Sequence, residues 1–178
     1  KDLSLIVDDL LNFSKVSNKK ISSDIIETET LLADILEKLA VTLEEQKVDI
    51  QINQNIPKLL MGDYLKMLRV FQNLIQNSIK FSKPDTPAII TIEGGEDDGY
   101  WYFSVEDNGI GIKKEFQQAI FLMFRKLNGQ KYTGTGIGLS LCKKIIEQHQ
   151  GEIKVSSTYG KGTKFLFSVS KHIISKNP

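Results

Sequence analysis

Residues 133–139 read TGTGIGL. Three glycines in seven residues suggest a phosphate loop, yet the segment lacks the Lys-Ser or Lys-Thr pair of a P-loop. It also does not follow a plain strand, as a dinucleotide fingerprint would. The residues that come next, IGLSLCKKIIEQHQ (137–150), carry the apolar spacing of a helix and stop at Gly151. The glycines therefore sit at a helix start, where free backbone N–H groups bind phosphate without a lysine in the motif. A lone glycine-rich loop is a weak signal, so its company in the chain decides the reading.

Upstream, the stretch from Asn108 to Gly138 is irregular and holds six glycines (109, 111, 129, 134, 136 and 138), with one helix-like piece around Glu115 to Phe124. A loop of that length in a compact domain is usually functional or mobile. Before it, AIITIEG and YWYFSVED read as a hairpin joined by GGEDDG, and after it EIKVSS and TKFLFSVS read as closing strands around YGKG. Gly62 to Phe81 reads as a long helix with Leu65, Leu68, Phe71, Leu74, Ile75 and Ile79 inward. LLADILEKLAVTLEEQKV reads as a helix with Leu32, Ile35, Leu36, Leu39 and Leu43 inward, between an extended Ile21–Glu27 and the alternating strand VDIQIN. No strand–helix–strand rhythm with short links recurs. The expected fold is an α/β two-layer sandwich, with helices on one face of a mixed, mostly antiparallel sheet.

Composition narrows the function. In 178 residues the net charge is +1, so no global field recruits nucleic acid or an anionic membrane surface. No apolar run approaches the roughly 18 residues of a membrane span, and no signal-peptide pattern is read in the opening residues. One cysteine, Cys142, cannot form an internal disulfide and fits a reducing, cytoplasmic setting. The chain begins with Lys inside a helical pattern, DLSLIVDDLLNFSKV, with Leu3, Ile6, Val7, Leu10, Leu11 and Phe13 on its apolar stripe. It is expected to be a fragment of something longer, its first helix packing on this chain or forming half of a hairpin or dimer. Residues 173–178 are expected to be a frayed tail.

Two further constellations carry chemistry. In FQNLIQNSIKF, Asn73 and Asn77 are four apart and Lys80 three further on, so all three share a helix face. Amide oxygens suit Mg²⁺, and a lysine beside them balances phosphate charge; the plainer alternative is the solvent face of an amphipathic helix. In VEDNGIGI, Asp107 ends a strand ahead of Asn108, Gly109 and Gly111. A carboxylate there can accept from an exocyclic amine, and the glycines allow close approach; the alternative is an ordinary DNG turn.

Taken in order, NLIQNSIKF, DNGIGI, FLMFRKL, GTGIGLSLCKKIIEQHQG and GKGTKFLF resemble the successive nucleotide-binding boxes of sensor histidine kinases. That family shares its Bergerat-type ATP-binding fold with DNA gyrase, Hsp90 and MutL. The resemblance covers roughly residues 28 to 170, and the lid wording looks most like phytochrome-type kinases. It implies domains of 1–17 (the end of the second helix of a dimerisation and phosphoacceptor hairpin) and 18–172 (the catalytic domain).

The resemblance also implies site roles. Asn77 would be the Mg²⁺ ligand with Asn73 in support, Lys80 would contact phosphate, and Phe81 would line the site. Asp107 would read the adenine amino group, with Asn108, Gly109, Gly111 and Ile112 about the base. Gly134, Thr135, Gly136, Gly138 and Leu139 would wrap the phosphates of ATP. Residues 112–135 would form a mobile lid. Implied partners are the hairpin of the full-length protein, a response regulator receiver domain and a second copy in a homodimer.

This chain departs from the pattern in two places. The aromatic-x-x-aromatic-x-Arg run of the lid matches at Phe121 and Phe124 but ends in Lys126, with Arg125 beside it, so the γ-phosphate role is divided between those two. The acceptor histidine and its helix are missing. His149, near a helix end where the dipole favours a cation, and His172 in the tail have plainer explanations. The related ATPases carry a glutamate base one turn before the metal asparagine. Here Asn73 stands there, and an amide cannot take a proton near neutral pH. That favours a kinase over a hydrolysing ATPase, and the intact boxes disfavour a degenerate scaffold.

Overall fold

The computed structural model describes residues 7, 10, 11, 14, 21–125 and 134–172. Val7, Leu10 and Leu11 are helical and about half exposed, so these stripe residues are not packed into the core. Ser14 is helical and exposed too, and the other residues of 1–17, with 173–178, lie outside the described residues.

In chain order the elements are β1 (Asp24–Glu27), α1 (Thr28–Glu45), β2 (Asp49–Ile52), β3 (Leu59–Gly62), α2 (Tyr64–Lys80), β4 (Ile89–Glu96) and β5 (Tyr100–Asp107). Two single 3₁₀ turns follow, Lys114–Phe116 and Ala119–Phe121, then α3 (Gly138–Gln148), β6 (Ile153–Thr158) and β7 (Gly162–Ser170). The main sheet has strand order β2-β4-β5-β7-β6, with β2–β4 parallel and the other pairs antiparallel. β1 and β3 form a separate antiparallel ribbon. This is the expected two-layer sandwich.

Alternation sets the two faces of the sheet. Ile90 and Ile92, Trp101, Phe103 and Val105, and Phe165, Phe167 and Val169 point to the helices and are buried, while Tyr100, Tyr102 and Leu166 face outward. At the centre, Phe71 of α2 meets Phe103 and Phe167 edge-on, at centroid distances of 5.4 and 5.1 Å. These edge-on pairs add to the area term.

Four readings needed correction. β3 was not foreseen, and α2 begins at Tyr64, not at Gly62. Asp63 is its N-cap, accepting from Lys66 N–H at 3.1 Å. Leu65 therefore falls in the first turn and is 66% exposed. The β4–β5 strands run through Gly94–Glu96, so the turn is shorter than GGEDDG; Asp97 makes it by accepting from Gly99 N–H and Tyr100 N–H, both at 2.8 Å. The helix-like piece at Glu115–Phe124 is the pair of 3₁₀ turns.

His149 is the fourth correction. It is fully buried at the end of α3. Nε2 accepts the Asp63 N–H at 3.0 Å, so the proton lies on Nδ1, which donates to the Ile145 carbonyl at 2.7 Å. Burial pushes its pKa below the ordinary 6.5, and the nearby Lys66 cation acts in the same direction. A neutral ring with both nitrogens engaged replaces the expected helix-end cation, and it joins the C-terminus of α3 to the N-terminus of α2.

Two predictions follow from this packing. Phe71→Ala should lower unfolding stability by about 3–5 kcal/mol in urea denaturation with an unchanged m-value; a loss under about 1 kcal/mol would contradict the packing. For His149, only the unfolded chain binds a proton between the unfolded pKa near 6.5 and the lower folded one, so stability falls as pH drops through that window. The wild-type urea midpoint should therefore fall between about pH 7.5 and about pH 5.5. His149→Gln, which keeps an acceptor for Asp63 N–H, should show a shallower fall; an equal fall would assign the pH dependence to other groups.

Candidate nucleotide site

The inward row of β5, Trp101–Phe103–Val105, ends on Asp107, so period two places a carboxylate on the face covered by the helices. It stands opposite Thr163 of β7 and Ile90 of β4. Oδ1 accepts from Gly109 N–H (2.9 Å) and Thr163 N–H (3.2 Å), and Oδ2 from the Ser78 hydroxyl (3.1 Å). Burial raises the pKa of Asp107, while these hydrogen bonds to the ionised form oppose the rise. The result is a half-buried carboxylate aimed by three donors from three elements.

α2 presents two stripes here. Leu74, Ile75 and Ser78 belong to the buried one. Arg69, Asn73, Asn77 and Lys80 form the neighbouring stripe, and all four line a cleft of about 830 Å³ that Asp107 also lines. The Asn73 amide donates back to the Arg69 carbonyl at 3.0 Å, which leaves its Oδ1 facing the start of α3. A Cβ on Gly138 would come within 2.8 Å of that oxygen, so any larger residue there would displace the Asn73 amide from this position. Lys80 Nζ lies 4.9 Å from the centroid of the Phe81 ring, and Phe81 lines the cleft.

The start of α3 closes the far end. Its N-terminus has no side-chain cap. Gly134, Thr135, Gly136, Gly138 and Leu139 all line the same cleft, so the glycine-rich loop and the asparagine stripe face one space. Gly136, at φ 76°, accepts from Phe124 N–H at 3.0 Å, and Phe124 itself adopts φ 63°. This pairing forms the neck of the segment between Phe124 and Gly136. Arg125 follows, exposed and lining the cleft. Lys126 and residues 127–133 lie outside the described residues.

The opposite wall is Ile110–Ile112. Ile110 N–H donates to the Phe81 carbonyl (3.0 Å), and its carbonyl accepts from Gly160 N–H (2.8 Å). Gly111 and Ile112 line the cleft as well. Asn108 and Gly109 do not. The Asn108 side chain accepts from Ile89 N–H (3.0 Å) and donates to the Pro87 carbonyl (2.9 Å), pinning the start of β4, while Gly109 supports Asp107 from behind.

Sequence reasoning missed Ser78 and Thr163. Ser78 was legible in principle as a hydroxyl on the apolar stripe of α2. Thr163 was legible as the first inward position of β7, opposite Asp107. Ser157 and Gln117, which brace Ile112, left no local signal.

Residues 62–173 match the family model described as histidine kinase-, DNA gyrase B-, and HSP90-like ATPase. The chain is 38% identical over 168 residues to the phytochrome-like protein Cph1 of Synechocystis and 40% identical over 169 residues to cyanobacterial phytochrome A of Nostoc. Each comparison covers 94% of this chain and 22% of the relative, so the chain spans less than a quarter of those proteins. Among solved structures, full-length ShkA in complex with AMPPNP aligns with a TM-score of 0.80 at 23% identity, covering 94% of this chain and 36% of that one. Histidine kinase ThkA in complex with the response regulator protein TrrA aligns with a TM-score of 0.77 at 24% identity, covering 96% of this chain and 48% of that one. Since the matched residues 62–173 include every element that builds the cleft, the chain belongs to the histidine kinase-, DNA gyrase B-, and HSP90-like ATPase family.

Proposed function

We propose that this chain is the ATP-binding catalytic domain of a two-component sensor histidine kinase, holding Mg-ATP and presenting its γ-phosphate to a histidine on a hairpin helix outside the domain. One observation carries the reading: a single cleft joins a donor-braced carboxylate at one end to an amide stripe and an uncapped helix start at the other. The carboxylate suits the exocyclic amine of adenine, and the helix start suits phosphate.

The residues fit the nucleotide and its metal. Bound Mg²⁺ would supply charge neutralisation on the phosphates, held by Asn77 with Asn73 in support. Lys80 would balance phosphate charge, and Arg125, with Lys126, would meet the γ-phosphate. Gly134, Thr135, Gly136, Gly138 and Leu139 would offer backbone N–H groups to the phosphate chain. Asn73 cannot act as a general base, so water is not activated from that position. The transfer then depends on positioning and charge neutralisation, with the acceptor imidazole attacking in line.

The buried, doubly hydrogen-bonded His149 is no acceptor. The phosphorylated histidine is instead supplied by the hairpin of the full-length protein, a homodimer in this reading with its catalytic domain in the cytoplasm, and the phosphoryl group passes on to a response regulator receiver domain. Support for that setting comes from the relatives, among them ThkA with its response regulator.

Calorimetric titration with a non-hydrolysable Mg-ATP analogue tests the cleft. Wild type should bind, and Asn77→Ala and Asp107→Asn should each weaken binding at least tenfold, about 1.4 kcal/mol. A folded wild type that fails to bind would overturn the reading in favour of a scaffold. Phosphate release by the isolated chain should stay well below about 1 s⁻¹, the low end of ordinary enzymatic turnover. Faster hydrolysis would favour the ATPase alternative. Adding the hairpin in trans should produce acid-labile label on the hairpin and none on this chain.

A further inference from the structure

Residues 108–112, whose last three form the wall, belong to no strand, so their backbone groups need partners from elsewhere. Ile110 finds backbone partners on both sides, in Phe81 and Gly160. Ile112 does not. Its N–H donates to the Ser157 hydroxyl at 2.8 Å, and its carbonyl accepts from the Gln117 amide at 3.0 Å. The same Gln117 nitrogen reaches the Ser157 carbonyl, on edge strand β6, at 2.8 Å. A carboxamide nitrogen carries two hydrogens, so one side chain serves both carbonyls.

Ser157 carries the connection further. Its hydroxyl donates to the Gly162 carbonyl at 2.7 Å and stands 3.0 Å from the Thr163 hydroxyl. The Thr163 N–H in turn holds Asp107. Gln117 itself follows the 3₁₀ turn Lys114–Phe116, where the lid region begins, and does not line the cleft.

We infer that Gln117 is a positioning residue for nucleotide recognition: its carboxamide clips the root of the lid to β6 and, through Ile112 and Ser157, sets the wall against which the base lies. The inference rests on the nucleotide reading of the cleft. The chemistry at the clip is one-sided. Two carbonyl acceptors require a donor, so a carboxylate there is repelled, an alanine leaves both acceptors unmet, and an ammonium can satisfy both.

The test is calorimetric titration of ADP and GDP, with Mg²⁺, into wild type, Gln117→Ala, Gln117→Glu and Gln117→Lys, at a temperature where circular dichroism shows each folded. Gln117→Ala should weaken ADP binding about tenfold and narrow the preference for ADP over GDP. Gln117→Glu should weaken ADP binding more than the alanine variant, and Gln117→Lys should recover wild-type affinity to within about threefold. A general loosening would scale both nucleotides alike, so an unchanged ADP to GDP ratio overturns the positioning role. Wild-type affinity in the alanine and glutamate variants overturns it too. If the first two variants do not fold, a lysine variant that folds without recovering ADP affinity overturns it. Failure of wild type to bind ADP overturns the reading of the cleft, and this inference with it.

Discussion

The structure depends on a carboxylate standing where the core should be. β5 runs hydrophobic toward the helices until Asp107, and a strand cannot turn one side chain outward without shifting register. Desolvating an acid there is costly unless donors meet it. Ser78, Gly109 and Thr163 meet it, and each position follows from that need. α2 must bring its hydroxyl-bearing stripe over the end of β5, the chain must turn back at Gly109, and β7 must reach Thr163 opposite. The cleft is the space these requirements leave beyond the end of the two central strands.

The rotation of α2 links packing to chemistry. With Phe71, Leu74, Ile75 and Ser78 directed into the core, helical geometry leaves Asn73, Asn77 and Lys80 beside the core instead of in solvent. The same helix is anchored at its N-terminus by Asp63 and His149. A buried neutral histidine bonded to Asp63, ten residues before Asn73, therefore helps to fix where the amides face, through the rigidity of the helix.

Much of this was legible in the sequence. The two-layer class, the asparagine stripe, the strand-end Asp107 and the glycine-rich helix start were visible in periodicity and spacing, because each is local, while their union in one site came from the family resemblance. What was missed is long-range or too short to carry a period. β3 is four residues that run into the apolar positions of α2, so the helical pattern absorbed it. Leu65 has the right spacing for the buried stripe but falls in the first turn, beyond the core. His149 looked like a helix-end cation because only its own helix was visible, and its partner is the backbone of Asp63, 86 residues earlier. Asn108 stands next to a site residue, yet period two turns it away from Asp107, toward β4.

The Phe124–Gly136 hydrogen bond has an effect in polymer terms. A loop tied at its neck has met most of its closure entropy there, whatever the segment contains. Doubling such a segment adds only about 0.6 kcal/mol. A change in the length of the chain between residues 125 and 134 thus costs the start of α3 little. The tie thus uncouples the length of the intervening segment from the place of the residues at its base, where Arg125, Gly134 and Gly136 line the cleft.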